Sequence, residues 1–354
     1  MSEQSFKIAV CGIGFGAAVH VPGLRLIPGV EIVAIAASNR ERAAAAASRL
    51  GIRAAACGGI EELVDRDLDA VTLALPPDAN ERALEHVLAH PLAVLSEKPL
   101  GCDPRAAESF AHRAKGRTTA VDFEFAELPD FQALKAVAQL THLGTVRGID
   151  IVWHVQSWAQ KNGVWSWKSD ARRGGGVLPL LGAHVLYLLE WIFGTIDGVS
   201  EATADAAATQ RFTPPGEIAA ADTISFTLTL PHGVIARVAL GNVTSAPPLH
   251  RWTVTYEHGA LILENRGGDY MSGFHLALRD RSGRTIDSPP PGGIELKSTG
   301  DGRIAAFTSL ARRFVAAARN NAPCSPDFAA GARVQHWMAA IESAASLDGR
   351  RCAS

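Results

Sequence analysis

Four stretches of the sequence carry residue types that can do chemistry. The first is Gly12-Ile13-Gly14-Phe15-Gly16-Ala17, a GxGxxA spacing directly behind the apolar run from Phe6 to Cys11. Between a strand and a helix, Gly12 permits a tight turn and Gly14 lets the backbone approach a pyrophosphate. Ala17, in the place of the third glycine, is small enough for close helix–strand packing. The helix that follows would present free N–H groups and its positive dipole end to the phosphates. Gly12, Gly14, Phe15 and Gly16 are therefore the expected cofactor contacts; a plain glycine-rich turn is the alternative. The second stretch is Ala36-Ala37-Ser38-Asn39-Arg40. An acidic side chain at the end of the second strand would bind a ribose 2′-hydroxyl, but no carboxylate occurs before Glu41. Ser38 and Asn39 can donate to a 2′-phosphate and Arg40 can pair with it, so NADP is the expected cofactor and NAD the second choice. The opposing reading is that Asn39 only caps the next helix and Arg40 is solvated.

The third stretch is Ser96-Glu97-Lys98-Pro99-Leu100, closing a predicted strand. Ligands of open α/β sheets bind along the carboxyl edge of the strands, where a lysine can pair with a substrate oxygen and favour its deprotonated form. Pro99 restricts Lys98 to extended geometry. A solvated Glu–Lys pair before a helix is the simpler alternative. The fourth stretch holds Trp153, Trp158, Trp165 and Trp167, with His154, Lys168, Asp170 and Arg172 interleaved. It reads equally as a substrate wall, indole faces stacking on sugar C–H surfaces, and as a core or interface cluster. Trp165, Trp167 and Lys168 are the stronger substrate candidates.

These residues need a scaffold, and the apolar pattern predicts one. Runs at 6–11, 31–37, 70–75, 93–96 and 119–123 alternate with helical patterns at 41–50, 81–88 and 106–114. Near-continuous apolar strands separated by helices indicate a parallel sheet buried on both faces. Beyond residue 123 the pattern changes. Ile224, Phe226, Leu228 and Leu230 alternate with Thr223, Ser225, Thr227 and Thr229, as in a half-buried antiparallel strand. Runs at 234–240, 252–256, 261–264 and 274–278 read the same way, 288–293 reads as a surface loop, and 304–318 and 328–345 read as helices. The expected fold class is α/β: a Rossmann doubly wound parallel sheet over 1–122, then an α+β domain with an open, mainly antiparallel sheet over 123–354. The C-terminal helices are candidates to pack back on the first domain.

Composition sets the bounds. With 354 residues the chain has room for two domains. A net charge of −2 supplies no field to draw in nucleic acid or acidic membranes. Cys11, Cys57, Cys102, Cys324 and Cys352 show no ligand spacing, which predicts reduced thiols, no metal site and a cytoplasmic protein. The N-terminus lacks the apolar region of a signal peptide, and the apolar stretch 177–194, interrupted by Pro179, His184 and Glu190, reads as buried core.

Taken together, the glycine loop followed by His20, Leu75-Pro76-Pro77-Asp78-Ala79-Asn80, Glu97-Lys98-Pro99, and Gly174-Gly175-Gly176-Val177-Leu178 leading to Gly182-Ala183-His184 resemble the glucose–fructose oxidoreductase / inositol dehydrogenase / rhizopine-catabolism oxidoreductases nearly end to end. The resemblance implies hydride transfer at a sugar or cyclitol carbon. It implies Lys98 as the active-site lysine, His184 as acid/base, and Leu75, Pro76, Asn80, Glu97 and Lys98 beside the cofactor. It also implies a homodimer or homotetramer through the C-terminal sheet. Leu180 and Tyr187 stand where the family carries aspartates. Leu180 removes an anion expected near Lys98, and Tyr187 becomes a substrate candidate. Two further readings follow from these departures: a non-catalytic dinucleotide-binding sensor or scaffold, and a reductase of an imine or other non-sugar carbonyl. Glu124 could reach the site, but a surface carboxylate at a strand end is the simpler account.

Overall fold

The structure, a computed structural model, describes residues 5–139, 143–243, 247–286 and 300–345. The chain divides into two compact units: 1–124 with 297–335, and 125–296 with 336–354. The predicted loop at 288–293 lies outside the described residues.

In the first unit, β1 (Phe6–Cys11), β2 (Val30–Ala36), β3 (Ala55–Cys57), β4 (Ala70–Leu73), β5 (Ala93–Ser96) and β6 (Thr119–Val121) form a parallel sheet in the order β3-β2-β1-β4-β5-β6. Strand order reverses beside β1, so the turn after β1 lies at the switch point where such sheets bind ligands. Ile8, Val10, Ile35 and Leu95 share one buried cluster with Phe307, Leu310, Phe314 and Val315 of the helix Gly302–Arg319. Each such side chain contributes about 1.5–3 kcal/mol on burial. Asp301 starts that helix by accepting from the Arg303 N–H at 3.1 Å.

The second unit holds β7 (Val146–His154), β8 (Gly198–Asp205), β9 (Thr223–Leu230), β10 (Val234–Gly241), β11 (Leu249–Tyr256), β12 (Gly259–Asn265), β13 (His275–Asp280) and β14 (Thr285–Ile286). Their order is β14-β13-β12-β11-β7-β10-β9-β8. All pairs are antiparallel except β7 with β10. The predicted alternation in β9 is observed, with Ile224, Phe226, Leu228 and Leu230 buried. The helix Ala183–Phe193 is buried along most of its length. The helical run Ala171–Phe193 is apolar and long enough to cross a membrane, but 72% of its most apolar part is buried inside the protein.

Four of the described strands escape the sequence pattern: β3, β7, β8 and the two-residue β14. Cys11, Cys57 and Cys324 are free, buried thiols, as expected. Cys102 is disulfide-bonded, against the expectation of reduced thiols throughout. A pairing created by tertiary structure leaves no local spacing signature.

Candidate active site

The glycine turn has the geometry its spacing predicts. Gly12 adopts φ +114°, and a Cβ there would lie 2.2 Å from the Ala74 carbonyl oxygen, so only glycine fits between β1 and β4. Gly14 is exposed, with nothing within 4 Å of where its Cβ would be. This is open space in which a pyrophosphate can meet bare backbone, and the residues present suit a dinucleotide. Helical turns start at Gly16, whose own Cβ would crowd Val10 at 3.1 Å and Ala74 at 3.2 Å. The Arg303 guanidinium lies 5.3 Å from the centre of the Phe15 ring, which brings a cation from the C-terminal part of the chain to the loop. Sequence reasoning missed Arg303. Its only local signal is the helix-starting Asp301, which also pairs with its guanidinium.

Past β2, the structure divides the roles of Ser38, Asn39 and Arg40. Asn39 Oδ1 caps the helix Arg40–Leu50 by accepting from the Arg42 N–H at 2.9 Å. Arg40 pairs with Glu62 at 2.9 Å on the exposed surface. Arg42, which the sequence reading passed over, donates to Ser38 Oγ at 2.8 Å. The Arg42 guanidinium therefore holds Ser38, while the Asn39 side-chain oxygen is already engaged. The Gly58 N–H and Arg40 together hold the Glu62 carboxyl below its ordinary range.

Leu75 and Pro76 follow β4 and are partly exposed. Asn80 is buried and donates through Nδ2 to Ser96 Oγ at 2.8 Å, and Ser96 Oγ in turn donates to the Glu97 carbonyl at 2.9 Å. Asn80 thus holds the turn that carries Glu97 and Lys98. The Lys98–Pro99 peptide is cis. Beneath this turn lies fully buried His20, stacked on Phe307 at 4.1 Å and edge-on to Phe15 at 5.6 Å. Its Nε2 lies 3.3 Å from Glu97 Oε1 and 3.8 Å from Asp122 Oδ2. These three donor atoms fall within 4.8 Å of one another. His20 therefore packs and anchors Glu97.

Glu124 is not the surface carboxylate the sequence suggested. It is 6% exposed, and its Oε2 has no hydrogen-bond partner in the structure. Burial and the charge of Glu97 push its carboxyl up to about 8, against the opposing pull of Lys98 and Arg303.

In the second unit, Gly175 sits where a Cβ would meet the Trp167 carbonyl oxygen at 2.3 Å, so the triple glycine folds tightly against the preceding segment. His184 is 4% exposed and packs edge-on to Phe125 at 4.8 Å, with Trp153 at 6.4 Å. Trp153 is a core residue. It is buried, and it stacks on His250 at 4.0 Å. Trp165 and Trp167 are half-buried, with Lys168 5.8 Å from the Trp167 ring centre. Trp165 meets Phe212 edge-on at 6.5 Å. Tyr187 is buried at 5% exposure and Leu180 is partly exposed.

Comparison with known proteins agrees with this geometry. Residues 6–125 match the oxidoreductase family with an NAD-binding Rossmann fold, and residues 131–262 match the C-terminal domain of the same family. An uncharacterized oxidoreductase of Synechocystis is 29% identical over 77% of this chain and 76% of its own length. The D-apiose dehydrogenase of Paraburkholderia graminis is 27% identical over 90% of this chain and 81% of its own. Among solved structures, a levoglucosan dehydrogenase in complex with NADH and L-sorbose superposes with a TM-score of 0.83 at 18% identity, covering 98% of each chain. The chain belongs to the glucose–fructose oxidoreductase / inositol dehydrogenase / rhizopine-catabolism family of oxidoreductases.

Proposed function

We propose that this chain is an NADP-dependent oxidoreductase that moves a hydride to or from a carbon of a sugar, cyclitol or sugar-like substrate. The observation that carries the reading is the placement of Lys98. It follows β5 on the carboxyl edge of the parallel sheet, next to a cis-proline, on a turn held by Asn80 and Ser96. Relatives named D-apiose dehydrogenase and inositol 2-dehydrogenase support a polyhydroxylated substrate. A levoglucosan dehydrogenase bound to NADH and a 3-ketoreductase from Actinomadura kijaniata bound to NADP share the fold. The Arg42 guanidinium on Ser38, with exposed Arg40 at the start of the same helix, supports a 2′-phosphate.

Gly12, Gly14, Phe15, Gly16, Ser38, Leu75, Pro76 and Glu97 would hold the dinucleotide. The nicotinamide ring, when bound, supplies the acceptor or donor of the hydride. Lys98 polarises the reacting oxygen and aligns the ring, and His184 exchanges the hydroxyl proton. Trp165, Trp167 and Lys168 bind the substrate. Tyr187, packed in its helix, reaches a substrate only through its hydroxyl. The outward row Thr227, Arg237, Asp150 and Thr253, in register across four strands, is the surface proposed for a homodimer or homotetramer, which light scattering would measure.

The test is turnover across a panel of sugars and cyclitols with NADP and NAD, comparing the wild type with Lys98→Met. Loss of turnover with cofactor binding kept is expected. A Lys98→Met variant with full activity overturns the assignment. A second reading, a dinucleotide-binding sensor, is favoured by Leu180 and Tyr187 in place of the family's aspartates. Tight cofactor binding without turnover on any panel member would establish it.

A further inference from the structure

We propose that Glu124 is a positioning residue for Lys98: it takes up and releases one proton within electrostatic reach of the lysine, so that the anionic charge acting on the ammonium group changes by one. The inference rests on the reading of Lys98 as the group that polarises the reacting oxygen. Four observations on the first unit carry it. Glu124 follows β6 at Asp122-Phe123, on the same edge of the sheet as Lys98. Its side chain is buried, and Oε2 receives no hydrogen bond. An ionised carboxylate so placed would forfeit its hydration without replacement, which favours the neutral acid. Finally, its neighbours are charged groups with a function to serve. Glu97 and Lys98 approach from the turn after β5, and Asp301 and Arg303 from the start of the helix Gly302–Arg319. Behind Glu97 stand His20, from the helical segment after the glycine turn, and Asp122, from the end of β6.

The consequence follows from charge counting. With Glu124 protonated, one anion fewer acts on Lys98, which directs more of its positive potential at a substrate oxygen. With Glu124 ionised, an added anion compensates the ammonium and weakens that polarisation. The switch between these forms falls near pH 8, where burial places the Glu124 proton. A glutamine in this position reproduces the shape of the protonated acid and cannot ionise.

The experiment measures kcat/KM from pH 6 to pH 10 for the wild type and Glu124→Gln on the best substrate of the panel. The wild type is expected to show an inflection near pH 8 that Glu124→Gln lacks. The same inflection in both proteins overturns the proposal. A second measurement decides the matter if Glu124→Gln is inactive. Difference infrared spectroscopy of the folded wild type should show a protonated carboxylic acid at pH 7 that titrates near 8 and is missing from the variant. A fully ionised carboxylate at pH 7 overturns the proposal as well. Lys98→Met separates the two claims. If it retains turnover, the functional reading fails; if it loses turnover while Glu124→Gln keeps the inflection, only the role of Glu124 fails.

Discussion

The indole Nε1–H of Trp252 donates to Nε2 of His250 at 3.0 Å, deep in the core of the second unit. This bond requires a lone pair on Nε2, so His250 is neutral, with its proton on Nδ1. Burial depresses its pKa from the ordinary 6.5 to about 3. The sign follows directly. Below pH 6.5 an unfolded chain binds a proton that the folded chain refuses, so stability falls as pH drops from 6.5 towards 3. At pH 5 the loss from this group is about 2 kcal/mol. His250→Phe keeps a ring against Trp153 and removes the titration. Urea unfolding at pH 5 and pH 8 should therefore show a smaller acid loss in the variant than in the wild type, even though leaving the Trp252 N–H unbonded costs about 1–3 kcal/mol at both pH values. Equal acid losses would show that His250 does not carry this linkage.

The same residue shows where the sequence was legible. The parallel strands are buried on both faces, and their unbroken apolar runs can be read directly: Phe6–Cys11 and Ala93–Ser96 match residue for residue. β7 could not be read that way. Arg147, Gly148 and Asp150 interrupt it, and only Ile149, Ile151 and Trp153 point inward. Trp153, which the sequence reads equally as substrate wall and as core, is buried and forms the platform under His250. β3 has three residues, and β8 is an edge strand carrying Ser200, Glu201 and Asp205. In the site, the glycine turn and Lys98 were legible because their chemistry is local. The burial of Glu124 was not, because Asp301 and Arg303 reach it only through the packing of a helix far along the chain.

The first two glycines of the loop, Gly12 and Gly14, should separate folding from binding. Gly12→Ala places a methyl 2.2 Å from the Ala74 carbonyl in a left-handed backbone. The expected cost is about 1–3 kcal/mol or more, with β1 and β4 forced apart. Gly14→Ala meets no protein atom within 4 Å, so stability should change by no more than about 0.5 kcal/mol. Its methyl instead fills the space a pyrophosphate needs, and dinucleotide affinity should drop at least about tenfold, roughly 1.4 kcal/mol. Thermal denaturation without cofactor and a fluorescence titration with NADPH make the comparison. A Gly14→Ala protein that binds normally would remove the loop from the cofactor site.

The face after β2 predicts a specific pattern of cofactor preference. Arg40→Ala and Arg42→Ala should each weaken NADPH binding by about 1.5–3 kcal/mol, the range for a hydrogen bond to a charged group, and leave NADH binding unchanged. Glu62 competes with a 2′-phosphate for Arg40, with 2.9 Å between the paired atoms. Glu62→Gln should therefore tighten NADPH binding. Isothermal titration with both nucleotides distinguishes the outcomes. A wild type that prefers NADH, with neither arginine variant altering NADPH, would contradict the assignment of NADP.

Glu124 also leaves a mark on stability that does not depend on turnover. Its folded pKa, about 8, lies above the ordinary 4.5 because the buried carboxyl resists ionisation. Below pH 4.5 both folded and unfolded chains hold the proton, and the group costs nothing. As pH rises from 4.5 towards 8, the unfolded chain releases the proton while the folded chain retains it, and stability is lost across that window. Glu124→Gln has no proton to release. The variant should therefore gain on the wild type as pH rises, by a difference on the order of a few kcal/mol between pH 5 and pH 8. Denaturant unfolding at a series of pH values measures it. A flat difference would mean that Glu124 ionises freely in the folded protein.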